Sequence, residues 1–127
     1  QNPVYYVQYA HARICSILKN LAADGIQPRA CTAQELALLT APEELELIRH
    51  LSSYTGEVQA AAKGMDPSKI TRYVMNLSTL FHKFYNACRV KGSDEALQAA
   101  RLCLCTATRT VLENGLALFK VTAPESM

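Results

Sequence analysis

The sequence predicts an all-α helical bundle, and three observations carry that prediction. Apolar residues recur at spacings of three, four and seven, with no stretch of strict alternation that would support a strand. Helix-start signals appear at Asn2-Pro3, Thr40-Ala41-Pro42-Glu43 and Asp66-Pro67, each a side-chain acceptor ahead of a proline that suits the first helical turn. The connectors between the periodic segments are short, as helices packed side by side require.

Each element follows from its own residues. Asn2 is a natural N-cap, and Val4, Val7, Ile14, Leu18 and Leu21 make an apolar stripe that ends at Asp24-Gly25, so a helix over 3–23 is expected. Residues 24–32 form a connector, followed by a short helical turn around 35–39. Thr40 and Glu43 suggest a capping box opening a helix to about Ser53. Thr55-Gly56 then breaks the chain, an Ala-rich helix runs to Lys63, and Gly64 ends it. From Asp66-Pro67 a long helix reaches about Arg89 on a stripe of Ile70, Tyr73, Val74, Leu77, Phe81, Phe84 and Cys88. Ser93 caps a last helix on Leu97, Ala100, Leu104, Ala107 and Val111, expected to stop near Asn114-Gly115, and the segment 120–127 is expected to be irregular.

With 127 residues, 50% of them hydrophobic and 19% charged, the chain can bury one core without a metal or disulfide staple. A single domain over 1–127 is expected. No apolar run approaches the ~18 residues of a membrane span. Gln1 stands where an initiator Met would, and no signal-peptide pattern follows, so the chain is expected to be cut from a longer protein. Five cysteines at irregular spacing point to reduced thiols in a cytosol, acting as small core fillers. His11, His50 and His82 show no metal-ligand spacing, and neither a phosphate loop nor a nucleophile motif is present, so no catalytic or metal site is expected. Glu43, Glu44 and Glu46 sit in a first helical turn, where the macrodipole favours acids without chemistry.

The net charge of +2 hides a segregation. Residues 1–19 hold Arg13 and Lys19 and no acid. Residues 24–57 hold Asp24, Glu35, Glu43, Glu44, Glu46 and Glu57 against Arg29 and Arg49, a balance of −4. Residues 66–91 hold Lys69, Arg72, Lys83, Arg89 and Lys91 against Asp66, a balance of +4. Such a division suits a polyanion binder, although solvated helix faces produce it too. On a helical wheel, Tyr5, Tyr6, Tyr9 and Arg13 fall opposite the apolar stripe of the first helix, and His82, Tyr85 and Arg89 share an edge of the long one. Surface rings beside arginine suit unstacked RNA bases and their phosphates. A helix buried on both sides, with tyrosine hydroxyls at the rim, is the competing explanation.

With those residues in view, the chain resembles the C-terminal anticodon-binding domain of class I arginyl-tRNA synthetases, the helical type called DALR. The stretches NPVYYVQYAHARI (2–14), KITRYVMNLSTLFHKFYNACRV (69–90), AARLCLCTATRTVLENGLALF (99–119) and APESM (123–127) carry the resemblance in the family's order. It implies a helical bundle of the class I anticodon-binding type, without catalytic residues, that binds the anticodon loop of arginine tRNA. It also implies a cytoplasmic arginine–tRNA ligase whose catalytic domain, using ATP and Mg, is absent from this chain. By the same resemblance Tyr9, Arg13, Tyr85 and Met127 line the anticodon pocket, and Tyr6, Lys19 and Arg89 flank it. Two departures stand out: Ser126 replaces the arginine of the family's P-E-R-M ending, and Lys91 occupies a position that is often apolar. The rival is a free-standing helical RNA-binding or protein-interaction module without synthetase activity.

Overall fold

The computed structural model describes residues 2–92, 94–119, 124–125 and 127. Among these residues there are six helices and no strand: α1 (Pro3–Ala23), α2 (Ala33–Leu36), α3 (Pro42–Ser52), α4 (Tyr54–Gly64), α5 (Ser68–Ala87) and α6 (Glu95–Leu118). Helices α1, α5 and α6 pack on one another in a triangle, with α3 and α4 against α5 and α2 against α6.

Local chemistry sets the helix ends. The Asn2 carboxamide oxygen accepts from the Val4 and Tyr5 amides at 3.0 and 3.4 Å. At the other end of α1, Gly25 at φ +80° lets the Ile26 amide reach back to the Leu21 carbonyl at 2.9 Å, a Schellman closure. Several ends differ from expectation by one residue, among them the start of α5, whose N-cap is Pro67 rather than Asp66; the Asp66 carboxylate accepts from the Ser68 amide and hydroxyl instead. The N-cap of α3 is Ala41 rather than Thr40, so Glu44, not Glu43, reaches back to the Ala41 amide at 2.9 Å. The fixed φ of Pro42 settles this, because the proline occupies the first helical position and pushes the cap to its predecessor. Helix α4 keeps both Gly56 and Gly64 within it, and the left-handed residue that closes it is Met65 at φ 52°. The expected cap at Ser93 lies outside the described residues.

The expected stripe of α5 is buried throughout, with Phe81, Phe84 and Leu77 fully enclosed; each such side chain contributes ~1.5–3 kcal/mol of transfer free energy. That of α6 holds in part. Ala100 and Leu104 are buried as expected, but Ala107 is exposed, Leu97 and Val111 are half-buried, and Leu102, Cys105, Thr108, Leu112 and Leu116 also face the core. Gly115 does not stop α6. A Cβ there would stand 2.5 Å from Cγ1 of Val74, so its missing side chain lets α5 and α6 approach closely.

Two polar locks join the layers. Glu44, 1% exposed, accepts from Nε of Arg101 at 2.7 Å and ties α3 to α6. His50 stacks on Tyr73 with ring centroids 4.1 Å apart and bonds its carbonyl through Nε2 at 3.0 Å, while the Tyr73 hydroxyl donates back to the His50 carbonyl. The cysteines are not uniform fillers. Cys88 and Cys105 are buried, Cys105 with its thiol pushed up to about 12 by burial, whereas Cys31 and Cys103 are half-buried neighbours with sulfurs 2.9 Å apart.

Candidate nucleic-acid interface

Helices α1 and α5 bring the sequence-predicted tyrosines and arginine together around one residue, His82. The phase of α1 turns Val7, Ile14 and Leu18 inward and leaves Tyr6, Tyr9 and Arg13 along the edge that meets α5. Arg13 donates from Nη1 to Nδ1 of His82 at 2.6 Å, and its guanidinium carbon lies 5.4 Å from the centre of the Tyr85 ring. Tyr6 makes an edge contact with His82 at 5.9 Å and shares a hydrogen bond with the Thr79 hydroxyl at 3.0 Å. Tyr9 lies tilted against the same imidazole at 6.4 Å. Beneath the cluster, Phe81 stacks on Tyr85 at 6.0 Å and 15°, which holds the tyrosine from the core side.

The electrostatics are set by what faces Arg13. His82 has its pKa lowered by burial and, secondarily, by the Arg13 charge, so it is held neutral with Nδ1 as acceptor and Nε2 as the protonated nitrogen. Arg13 is therefore oriented by a neutral ring and a π face, not by a carboxylate. Such a charge is held in place without being neutralised, which an incoming anion can exploit. Of the cluster's rings Tyr9 is 48% exposed, while Tyr6, His82 and Tyr85 are half-buried; Tyr5, one turn before Tyr9 on α1, is 56% exposed.

The remaining predicted residues are spread more widely. Arg89 sits one turn beyond Tyr85 and lines with it, Lys91 and Gly92 an open cleft of about 700 Å³ at the end of α5. Lys19 borders a different cleft of about 520 Å³, with Cys15, Ser16, Arg109 and Glu125. Met127 is 57% exposed. Spacing had placed His82 at the stripe edge beside Tyr85 and Arg89; its central role depends on Arg13, 69 residues away, which no local pattern shows.

The acidic middle segment is not a free acidic face. Glu35 takes a two-pronged bond from Arg29 at 2.7 and 3.0 Å, which holds its carboxyl down to about 2, and Glu95 joins the same guanidinium. Asp24 pairs with Lys91 at 2.7 Å and Glu44 with Arg101. Among the described residues no group of three or more His, Cys, Asp or Glu side chains could hold a metal ion, and no helix is long and apolar enough to cross a membrane.

Comparison with known proteins bears on the family and the fold. The family model of the DALR anticodon binding domain matches residues 7–127. An arginine–tRNA ligase of Ruminiclostridium cellulolyticum is 54% identical over all 127 residues, and one of Acetivibrio thermocellus is 48% identical over the same span. The chain spans only 22% of the length of either relative. Among solved structures, Thermus thermophilus arginyl-tRNA synthetase superposes with a TM-score of 0.81 at 30% identity, covering 96% of this chain and 21% of that one. A Campylobacter jejuni structure described as a putative arginyl-tRNA synthetase superposes with a TM-score of 0.78 at 26% identity, over 99% of this chain and 27% of its own. This helical bundle, with rings and an arginine gathered at one edge and matched by that family model over residues 7–127, belongs to the DALR anticodon-binding domain family.

Proposed function

We propose that the chain reads the anticodon loop of arginine tRNA on behalf of a cytoplasmic arginine–tRNA ligase. The observation that supports this reading best is the Tyr9–His82–Arg13–Tyr85 cluster, in which the exposed ring of Tyr9 and the half-buried ring of Tyr85 flank a guanidinium that meets no carboxylate among the described residues. Unstacked loop bases stack on the rings of Tyr9 and Tyr85. Arg13, already oriented by His82, donates its remaining N–H groups to a base edge or a phosphate, and Nε2–H of His82 offers a neutral donor beside it. Tyr6 braces His82 from the α1 side, Lys19 and Arg89 meet the backbone on either side of the cluster, and Met127 packs on the loop. The work of this domain is binding. Joining arginine to the tRNA, with ATP and Mg, takes place in a catalytic domain outside this chain.

Base stacking is worth ~1–3 kcal/mol per base. In the full-length ligase, Tyr9→Ala and Tyr85→Ala should therefore raise KM for arginine tRNA about tenfold or more while KM for ATP and arginine stays unchanged. Unchanged tRNA kinetics in both variants would remove the pocket assignment. Titrating the 127-residue chain with arginine tRNA and with an anticodon-swapped tRNA adds an independent check, because equal binding of the two favours a scaffold role. Binding should weaken as salt is raised, with a shallow slope, since few phosphates are engaged.

A further inference from the structure

His11 takes no part in the ring cluster, yet it is among the most enclosed polar side chains of the protein, 1% exposed on a helix whose neighbouring turns carry Tyr9 and Arg13. Its Nε2 lies 2.8 Å from a carboxylate oxygen of Glu113 on α6, and its Nδ1 lies 2.7 Å from the Pro124 carbonyl, 113 residues along the chain. Each ring nitrogen thus faces one oxygen acceptor. Glu113 is half exposed, so its carboxylate remains solvated while one oxygen faces inward. Pro124 and Glu125 belong to no helix. Glu125 lies over the next turns of α1, in the cleft lined by Cys15, Ser16 and Lys19, so the segment follows α1 from the level of His11.

We propose that His11 is a positioning residue: it bridges Glu113 of α6 to the Pro124 carbonyl and thereby seats Pro124 and Glu125 on the α6 flank of α1. A segment without secondary structure of its own is ordered by the few bonds that tie it down, and a buried imidazole with two oxygen partners is a directional tie. The consequence for RNA rests on the anticodon reading above; the seating itself does not.

The two nitrogens can be tested separately. Asparagine places its amide nitrogen near the position of Nδ1, and glutamine places its own near Nε2. His11→Asn therefore retains the bond to Pro124, and His11→Gln retains the bond to Glu113 while releasing the segment. In the 127-residue chain, cleavage after Glu125 by a glutamyl endopeptidase should accelerate about tenfold in His11→Gln and stay near the parent rate in His11→Asn. Equal rates in the parent and His11→Gln overturn the proposal. Should His11→Gln fail to fold, Glu113→Gln, altered at a half-exposed position, supplies the second variant: like His11→Asn it keeps the Pro124 bond and should be cleaved near the parent rate, and an acceleration of about tenfold there would place the tie at Glu113 and overturn the proposal.

RNA binding then separates the two readings. With an arginine anticodon stem-loop, Met127→Ala should weaken binding about threefold or more in the parent and have no further effect in His11→Gln. An equal loss in both backgrounds overturns the positioning role. No binding by the parent chain would sink the anticodon reading instead, and the cleavage rates would still decide whether His11 seats the segment.

Discussion

On the flank of α1 that meets α6, His11 is bonded to a carboxylate and a carbonyl. On the flank that meets α5, His82 is bonded to a guanidinium. The same side-chain type serves two ends because its surroundings differ. Across the α6 side of the bundle, Arg29 and Arg101 meet carboxylates, and the ion pairs join separate elements of the chain. Across the α5 side, Arg13 meets a neutral ring and an aromatic face. One side uses its charge to hold the bundle together, and the other orients its charge without a carboxylate partner among the described residues.

The sharpest way to break this contrast is to remove a holding cation. Arg101→Ala leaves Glu44 buried at 1% exposure without its partner and should lower unfolding stability by ~3–5 kcal/mol, read from urea melts. A loss below ~1 kcal/mol would mean that the pair is too well hydrated to act as a lock. Next comes the close approach of α5 and α6. Gly115→Ala brings a methyl against Val74 and should destabilise by ~1–3 kcal/mol. If that variant melts with the parent, α6 shifts to accommodate the methyl and the approach is not essential.

On the offered side the effects should be confined to binding. Tyr9→Ala removes an exposed ring and should leave stability within ~0.5 kcal/mol, while the affinity for an arginine anticodon stem-loop falls about tenfold. A stability loss as large as that of Gly115→Ala would turn Tyr9 into a packing residue and blur the distinction between the two sides. The smallest expected effect is a pH dependence from His82. It is faced by Tyr6, Tyr9 and Arg13 from α1 and by Phe81 on its own helix, and its folded-state pKa is depressed by burial and by Arg13. The unfolded chain therefore binds the proton more readily. The stability this confers is present above the unfolded value of ~6.5 and is lost as pH falls below it toward the folded value. Thermal midpoints should drop from pH 7 to pH 5.5, and less so in His82→Gln; equal drops in both would assign the effect to another group.

How much of this was legible in the sequence differs from helix to helix. The α5 stripe could be read residue by residue, because its apolar positions occupy one narrow arc bounded by Lys69, Arg72 and Lys83. That of α6 could not, because neighbours on several sides bury an arc too wide for spacing to choose its centre. The phase drawn from Leu97, Ala100, Leu104, Ala107 and Val111 shares Ala100 and Leu104 with the buried face but is centred roughly 80° away from it. Gly115 misled for a related reason: a glycine near a helix end signals a stop, and only the position of Val74 shows that it serves packing instead. The tyrosine face was legible from the wheel of α1, since three tyrosines opposite an apolar stripe have no place in the core.

The sequence alone determined the helices, the inward face of α1 and α5, and the residue types an RNA loop reader needs, because these depend on interactions within a few turns of chain. The tertiary structure decided which charges are compensated. Asp24, Glu35 and Glu44 find Lys91, Arg29 and Arg101, and Arg13 instead finds His82 and Tyr85. Apart from Arg29 and Glu35, six residues apart, these partners lie 57 or more positions away in sequence. A local pattern can say that a residue is charged, but only the packing of distant helices says whether that charge is already bound.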